Sequence, residues 1–351
     1  MGLLDTIAQN KYKSISVIGM AKNAGKTVTL NYLIDEAYSH GVALGITSIG
    51  RDGETLDLVT QTDKPTIYVY EGTLIATAEG LFEQATARME IVHMTDIQTA
   101  MGKIIIAKIR HDGYVQIAGP STTIGIQTVA LKMQGLGADV VLVDGALDRK
   151  SLASPSVTDA TILATGAVLS RNMNTVIDET AHRVRLFGLE KIKPEFHSEA
   201  SSVIRERNVG LMKPTADGTE VKTLALKTAL GAGRAIAREA EEETTHILLP
   251  GSLGEKLLAD VLEVRGTLKG LTWVVKDATR IFLHPREWSI YTKRGLKVEV
   301  CETIHLIGVT VNPTAPAGYS FDADLLRCQL EQKLIDTPVY NVKFEETTWN
   351  F

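Results

Sequence analysis

The stretch Ser14–Thr27, SISVIGMAKNAGKT, decides the fold of the amino-terminal half of this chain. The apolar residues Ile15, Val17 and Ile18 predict a short buried strand, and a turn of mostly small residues follows it. After Gly25-Lys26-Thr27, apolar residues recur at helical spacing from Leu30 to Ala37. Strand, small-residue turn, Gly-Lys-Thr and helix in this order are the context that a phosphate-binding loop requires, so the sequence predicts a nucleotide site.

The predicted site uses the backbone as much as the side chains. A phosphate-binding loop points N–H groups at phosphate oxygens, and the following helix adds the positive end of its dipole. We expect Lys26 to contact the terminal phosphates and act in catalysis, and the Thr27 hydroxyl to bind Mg²⁺. The expected cofactors are therefore ATP and Mg²⁺; the sequence has no NKxD-type guanine motif, yet it does not decide between ATP and GTP. The expected nucleotide ligands are Gly19, Asn23, Ala24, Gly25, Lys26 and Thr27.

The spacing of the glycines departs from the commonest form of this loop. That form places a glycine five residues before the glycine of Gly-Lys-Thr. Here this position is Met20, and the nearest glycine is Gly19, so five residues separate Gly19 from Gly25. The longer spacing resembles the GTDTDVGKT loop of dethiobiotin synthetase and its relatives, one branch of the P-loop proteins. The alternative is a glycine-rich strand-to-helix turn that binds nothing.

The composition bounds the class of protein. The chain has 351 residues, of which 44% are hydrophobic and 23% charged, which is typical of a globular protein with about two domains. A formal net charge of −5 and the lack of a long apolar run predict neither nucleic acid nor a membrane as a partner. The first residues lack a signal-peptide pattern, and two cysteines, Cys301 and Cys328, are too few for a disulfide framework. We therefore expect a reduced, cytoplasmic protein, with both cysteines in the core or partly buried.

Strand and helix patterns alternate along most of the chain, which favours an α/β fold with a doubly wound, mostly parallel sheet. We assign residues 1–170 to a nucleotide-binding domain and residues 171–351 to a second α/β unit of unknown role; the alternative is that this half continues the first sheet. Within the first domain, the composition of Leu74–Arg88 predicts a helix. The Asp-Gly turn signal in His111–Gly113 predicts a hairpin between the two β-rich runs that flank it.

An acidic residue at the end of a neighbouring strand completes most P-loop sites. The run Ala138–Asp144, ADVVLVD, predicts such a strand. Asp144 is therefore our candidate for a carboxylate beside Mg²⁺, bound directly or through water. Apolar strands that end in aspartate are also common without this role.

The loop after the second predicted strand is a further candidate, because it lies at the carboxyl edge where ligands bind doubly wound sheets. It contains Arg51, Asp52 and Glu54. We expect Asp52, rather than Glu54, to hold Mg²⁺ and to act in catalysis by orienting the attacking water, while Arg51 neutralises phosphoryl charge. A polar surface turn explains the same residues equally well.

Other candidates carry less weight. Three loops end predicted strands with small and hydroxyl-bearing residues, and we expect one of them to touch a ligand although each also fits a helix cap. They are Ala118–Thr122, Ala164–Ala167 and Pro250–Glu255. Asp148 and Arg149 are candidates for a position near the phosphates. The scattered histidines predict no further metal site, and we interpret Glu179 and His182 as a solvated pair on a helix.

Five segments together resemble a known family of clostridial-type proteins. They are GMAKNAGKTVTLNYLI, TSIGRDGETLDLVT, GYVQIAGPST, VDGALDRKSLASPSVTDATILATGAVLSRNM and VNPTAPAGYSFD. Proteins of this family are encoded with amino-acid fermentation enzymes and are named as a reactivase subunit for adenosylcobalamin-dependent lysine 5,6-aminomutase. The resemblance runs along most of the chain and is sharpest over Ile15–Met173.

The resemblance implies ATP-dependent maintenance of a radical enzyme. Such enzymes are inactivated when their cobalamin loses its adenosyl group, and a reactivase uses nucleotide binding and hydrolysis to release the damaged cofactor. The implied partners are the aminomutase and a second reactivase subunit, and the implied activity is an ATPase that the partner stimulates. Many proteins of this P-loop branch form dimers across the nucleotide site, which makes a homodimer a further expectation.

Two other functions fit the same residues. One is a small-molecule enzyme, either an ATP-dependent carboxylate ligase or a kinase of the dethiobiotin synthetase kind, whose substrate pocket the carboxyl-terminal half would supply. The other is a nucleotide-sensing protein without turnover, because no residue is compelling as a water activator.

Overall fold

The computed structural model describes residues 2–49, 67–145, 157–216, 218–224, 226 and 232–342. In chain order the strands are β1 Ser14–Gly19, β2 Leu44–Ser48, β3 Ile67–Val69, β4 Leu74–Ala78, β5 Arg88–Thr99, β6 Gly102–His111, β7 Gly113–Val115, β8 Val140–Asp144, β9 Ala160–Gly166, β10 Val209–Thr215, β11 Gly218–Leu224, β12 His246–Leu249, β13 Leu253–Gly254, β14 Thr272–Val275, β15 Ile281–Phe282, β16 Lys297–Val300, β17 Leu306–Asn312 and β18 Val339–Asn341. The helices are α1 Leu3–Gln9, α2 Lys26–Ser39, α3 Thr123–Gly135, α4 Met173–Phe187, α5 Pro194–Arg205, α6 Ala232–Glu239, α7 Glu255–Arg265, α8 Pro285–Lys293 and α9 Ala323–Lys333. Within these described ranges, no helix combines the length and the apolar character that crossing a membrane requires.

The chain divides into two compact units. The first is formed by Met1–Ile177 together with His305–Phe351, and the second by Asp178–Ile304. This division differs from the one expected at residues 170 and 171, because β17, α9 and β18 return to the first unit. The reason is the apolar strand β17, whose five central residues are buried and which pairs in parallel with β9.

The first unit is built on a nine-stranded sheet in the order β18-β17-β9-β1-β8-β2-β4-β6-β5. The neighbours from β18 to β4 are all parallel, whereas β6 is antiparallel to both β4 and β5. The expected α/β fold with a large, mostly parallel sheet is therefore confirmed.

Both faces of this sheet are covered by helices. Val140 and Leu142 of β8 belong to a core with α1 and α2, while Val141 and Val143 belong to a core with α3. Because successive side chains of a strand point to opposite faces, a strand that is buried on both faces is mostly apolar. This explains the uninterrupted apolar run Val140–Val143 of β8, whereas β1 also contains the buried Ser16, whose hydroxyl oxygen lies 2.9 Å from that of Thr161.

The connections that leave β1 and β9 diverge. From β1 the chain passes through α2 to β2, which lies beyond β8, whereas the next strand of this sheet after β9 is β17, on the opposite side. Since β1 and β9 are parallel neighbours, their carboxyl ends at Gly19 and Gly166 lie where the two connections part. In open α/β sheets a crevice forms at such a point, and ligands bind there.

The predicted helix over Leu74–Arg88 is wrong. Residues 74–78 form β4, Glu79–Gln84 form a 3-10 helix, and Arg88 begins β5. All five residues of β4 are buried between β2 and β6. Burial within the sheet therefore outweighs the helix propensity of the leucine and alanine residues, which is a weak preference.

The predicted hairpin around His111–Gly113 is also wrong. β6 pairs with β4 and β5, whereas β7 pairs with β3 in a separate two-stranded sheet. The Asp112 carboxylate accepts a hydrogen bond from the N–H of Glu71 at 2.7 Å. A Cβ on Gly113 would lie 2.5 Å from the Ala87 nitrogen, so only glycine fits there. The Asp-Gly pair thus leads the chain from one sheet to another and does not close a hairpin.

The second unit has a five-stranded sheet in the order β11-β10-β12-β14-β16. β12, β14 and β16 are parallel, and β10 is antiparallel to both β11 and β12. Each step from β12 to β14 and to β16 goes in the same direction, through α7 and then α8. Helix α5 packs on one face through Ala200 and Val203, against Met212, Leu248 and Val274 of the sheet.

Candidate functional site

The segment from β1 to α2 stands at the point where the connections of the first sheet diverge. β1 is buried over its whole length and ends at Gly19, and α2 begins at Lys26. The Met20 N–H donates a hydrogen bond to the carbonyl oxygen of Ala164 in β9 at 2.9 Å. The turn is therefore attached to β9 at its start and opens a helix of 14 residues at its end.

Two residues of this turn have left-handed backbone conformations. φ is 63° at Asn23 and 104° at Gly25. Left-handed residues that alternate with others in a tight turn form concave arrays of N–H groups, which are typical anion-binding sites. The first N–H groups of α2 also lack intrahelical acceptors, and the dipole adds positive potential at this end of the helix.

Lys26 lies over the end of β1. A Cβ on Gly19 would be 2.9 Å from Cγ of Lys26 and 3.1 Å from the carbonyl oxygen of Ala21. Gly19 therefore leaves room for the stem of Lys26, and both Lys26 and Thr27 are half-buried. Ala24 is buried, whereas Asn23 is exposed. All six expected nucleotide ligands thus belong to one strand–turn–helix unit.

Asp144 is at the carboxyl end of β8, as expected from the sequence. It is the register partner of Val17 in β1 on one side and of Ser48 in β2 on the other. The Gly145 N–H donates to the Val17 carbonyl oxygen at 2.9 Å, and Asp144 is half-buried. The carboxylate therefore ends a strand next to β1, at the same edge of the sheet as the turn.

Several expected residues lie outside the described part of the chain. These are Arg51, Asp52, Glu54, Asp148 and Arg149. Of the expected magnesium ligands, Thr27 and Asp144 are described, and their hydroxyl and carboxylate oxygens are of the kinds that Mg²⁺ prefers. In the residues that the structure describes, no cluster of three or more histidine, cysteine, aspartate or glutamate side chains is arranged to hold a metal.

Of the three additional loops, one lies beside the turn. Ala164 accepts the hydrogen bond from Met20, and Gly166 ends β9. In Ala118–Thr122, the Thr122 hydroxyl accepts from the Gly125 N–H at 3.1 Å and so caps α3. Pro250–Glu255 belongs to the second unit.

Thr310 and Asn312 of β17, which the sequence did not single out, contact the turn between β1 and α2 and the start of α2. The Thr29 hydroxyl donates to the Gly25 carbonyl oxygen at 3.0 Å, and its oxygen lies 2.7 Å from that of Thr310; both threonines are buried. A Cβ on Gly25 would lie 2.8 Å from Cβ of Asn312. Asn312 also accepts a hydrogen bond from the N–H of Thr314 at 3.2 Å. The carboxyl end of β17 therefore forms one side of the site.

Two smaller expectations are wrong. His182 is buried and not solvated, because its Nε2–H donates to the carbonyl oxygen of Leu283 at 2.7 Å. Cys301 is buried as expected, but Cys328 is exposed on α9. Neither residue belongs to the strand–turn–helix unit.

Comparisons with known proteins do not assign the chain to a family. No family model, curated protein or solved structure matches the chain significantly.

Proposed function

We propose that this protein binds Mg²⁺–ATP at Met20–Thr27 and hydrolyses it as a reactivating chaperone for an adenosylcobalamin-dependent aminomutase. The observation that carries the nucleotide part is the turn from β1 to α2, with left-handed Asn23 and Gly25, at the point where the connections of the sheet diverge. The aminomutase part rests on the resemblance of the five sequence segments. The two parts are independent and need separate tests.

In this proposal the backbone of the turn binds the phosphates. N–H groups of the turn and of the first helical turn donate to phosphate oxygens, and Lys26 adds a positive charge over the end of β1. Because Lys26 is half-buried, its charge is less screened than that of an exposed lysine. Removing it should therefore cost much of the affinity for a triphosphate.

The residues proposed for turnover are Thr27, Asp144 and Asp52. Thr27 and Asp144 hold Mg²⁺, directly or through water, and Asp52 orients the attacking water. Bound Mg²⁺ neutralises charge on the β- and γ-phosphates. Hydrolysis without a partner is slow in this proposal, because no described residue stands out as a strong general base.

To act on the aminomutase, this protein needs two conformational states that depend on the bound nucleotide. We propose that the γ-phosphate holds the Asp52 loop in one state and that hydrolysis releases it. The nucleotide alters affinity for the mutase only if the two states contact the mutase differently. A second reactivase subunit is the proposed source of further stimulation.

The experiment measures phosphate release from ATP and from GTP by the purified protein, with and without lysine 5,6-aminomutase that carries damaged cofactor. Lys26→Ala is compared with Lys22→Ala, an exposed lysine of the same turn that serves as the matched control. We expect the mutase to raise the rate, Lys26→Ala to lower nucleotide affinity by about 100-fold, and Lys22→Ala to change it less than about threefold.

Other outcomes identify the alternatives. Equal phosphate release with and without the mutase would indicate a small-molecule ligase or kinase whose substrate is missing from the assay. Binding without release, with every partner present, would indicate a nucleotide sensor. If the wild-type protein binds neither nucleotide, Met20–Thr27 is only a turn and the proposal fails.

A further inference from the structure

The guanidinium group of one arginine lies over an aromatic ring beside the candidate site. Cζ of Arg171 lies 5.0 Å from the centroid of the Tyr319 ring, and Arg171 is exposed. Arg171 follows β9 by five residues, and Tyr319 belongs to the loop between β17 and α9. Both loops leave the carboxyl edge of the first sheet, and β9 and β17 are neighbours in it.

The loop that carries Tyr319 is held in place by its own hydrogen bonds. The Ala315 N–H donates to the Tyr319 carbonyl oxygen at 2.9 Å, and the Phe321 N–H donates to that of Pro313 at 2.9 Å. The Tyr319 hydroxyl donates to the carbonyl oxygen of Ala167 at 2.5 Å. The ring is thus fixed against the residue that follows β9 and presents one face to the guanidinium.

A short path of contacts joins the Arg171–Tyr319 pair to the turn between β1 and α2. Ala167 follows Gly166, and a Cβ on Gly166 would lie 2.2 Å from the carbonyl oxygen of Asn312. Asn312 in turn packs against Gly25. Arg171 therefore lies on the β9–β17 side of the point where the connections diverge, while Lys26 lies on the β1 side.

Among the described residues no carboxylate forms an ion pair with Arg171, whose guanidinium contacts the Tyr319 ring. A cation–π contact with a ring uses none of the N–H donors of a guanidinium as hydrogen bonds to oxygen, so these donors stay available. They match the geometry of carboxylate and phosphate oxygens, and an arginine that the ring already restrains loses less freedom on binding.

We propose that Arg171, positioned by Tyr319, binds an oxyanion, either a phosphate or a carboxylate group, at the β9–β17 side of the site. The oxyanion has two sources: the nucleotide itself or a separate small molecule that binds beside it. The proposal rests on the proposed nucleotide site only in the first case. The competing explanation is that the Arg171–Tyr319 pair only stabilises the two loops and binds no ligand, because arginine–aromatic pairs are common on protein surfaces.

The experiment is a set of calorimetric titrations at constant ionic strength with Mg²⁺–ATP, pyrophosphate and citrate. It compares Arg171→Gln with Arg88→Gln, each in the wild-type and in the Lys26→Ala background. Arg88 is the matched control, since it is exposed and begins β5, the strand at the far end of the same sheet. Both substitutions remove one positive charge, so a general electrostatic effect would appear in both.

Two results support the proposal. If the nucleotide supplies the oxyanion, Arg171→Gln weakens Mg²⁺–ATP by about tenfold or more while Arg88→Gln leaves it within about twofold. If a separate molecule supplies it, Mg²⁺–ATP binding is unchanged. Pyrophosphate or citrate then binds the Lys26→Ala protein, and Arg171→Gln removes that binding. In either case Tyr319→Phe, which keeps the ring but loses the hydroxyl donor, lowers the affinity for that ligand less than Arg171→Gln does.

The proposal is overturned if Arg171→Gln matches Arg88→Gln for all three ligands in both backgrounds. It is also overturned if Arg171→Lys binds the ligand that Arg171→Gln weakens as tightly as the wild-type protein does, since a point charge would then replace the planar fork. Failure of the nucleotide site has a different signature, namely no Mg²⁺–ATP binding by the wild-type protein. The pyrophosphate and citrate titrations still decide the role of Arg171 in that event.

Discussion

Parallel strands of both sheets are followed by loops that contain polar residues, but the two sets of strand ends differ. In the first sheet the connections after β1 and β9 diverge, and the turn after β1 has left-handed Asn23 and Gly25. In the second sheet β12, β14 and β16 succeed one another in one direction. After β14 the buried Asp277 carboxylate accepts hydrogen bonds from the Thr279 N–H at 2.9 Å and from its hydroxyl at 2.5 Å.

The difference teaches that residue type at a strand end does not identify a site. After β14 the Asp277 carboxylate accepts its hydrogen bonds from Thr279 of the same loop, so these two residues contribute to stability. At β1 the N–H groups that begin α2 have no acceptor within the helix, so the turn is suited to an external anion. The comparison predicts that substitutions at the first strand ends alter ligand affinity, and that those at the second alter stability alone.

Gly25→Ala should give the largest effect. Alanine at φ of 104° is strained, and the new Cβ would lie 2.8 Å from Cβ of Asn312. We expect the free energy of unfolding to fall by about 2–4 kcal/mol and nucleotide affinity to fall at least about tenfold. Urea unfolding and Mg²⁺–ATP titration measure the two quantities.

Gly41→Ala is the control that separates strain from crowding. Gly41 also has a positive φ, of 65°, but a Cβ there would meet no atom within 4 Å. Gly41→Ala should lower the free energy of unfolding by about 1 kcal/mol and leave the nucleotide affinity unchanged. Equal costs for Gly25→Ala and Gly41→Ala would show that the contact with Asn312 has no energetic consequence. The double variant Gly25→Ala with Asn312→Gly should recover part of the loss.

The sequence predicted the elements around the candidate site where the signal is local, and it missed contacts between residues that are distant in sequence. The prediction of β1 and α2 rests on apolar residues and helical spacing within one continuous segment. The prediction for Asp144 rests on its place at the end of an apolar strand. Thr310 and Asn312 carry no local pattern that relates them to Gly25, because only the pairing of β17 with β9 brings them together. Pairing between distant strands depends on the whole sheet, and a single sequence does not reveal it.

The fold errors have a related cause. Leucine and alanine at residues 74–78 favour a helix locally, yet their burial between two strands decides the outcome. The return of β17 and β18 to the first sheet likewise has no composition change to mark it. The alternation of strands and helices predicted the parallel sheet correctly, since it depends on hydrophobic period and not on pairing order.

Asp277→Ala tests the other side of the comparison and should have an intermediate effect. It leaves the buried N–H and hydroxyl of Thr279 without their acceptor, so we expect the second unit to lose about 2 kcal/mol. Nucleotide affinity should not change. Trp273 and Trp288 lie in the second unit, so tryptophan fluorescence in a Trp349→Phe background follows its unfolding.

Two variants calibrate that result. Asp277→Asn keeps an acceptor oxygen and should cost less than about 1 kcal/mol. Asp322→Ala removes an exposed cap of α9 in the first unit, where Asp322 accepts from the Leu325 N–H at 2.8 Å, and should cost about 0.5–1 kcal/mol. A change in nucleotide affinity with Asp277→Ala would contradict the distinction between the two sets of strand ends.

The smallest expected effect is a pH dependence that belongs to the second unit. Its His182 and His246 are buried, whereas His40, His111 and His305 of the first unit are exposed. Burial lowers the pKa of His182 and of His246 below the ordinary value of about 6.5. Burial therefore favours the neutral form of both rings in the folded unit.

The sign of the effect follows from proton uptake. Above about pH 6.5 His182 is neutral in both states, and its full contribution to stability is present. As the pH falls below that value, the unfolded chain binds a proton that the folded ring resists, so the free energy of unfolding of the second unit decreases. His182→Gln still offers a donor to the carbonyl oxygen of Leu283 but does not titrate. Its urea midpoint should therefore fall less between pH 7.5 and pH 5.5 than that of the wild-type protein. Parallel declines in the two proteins would mean that the stability of the second unit is limited by groups other than His182.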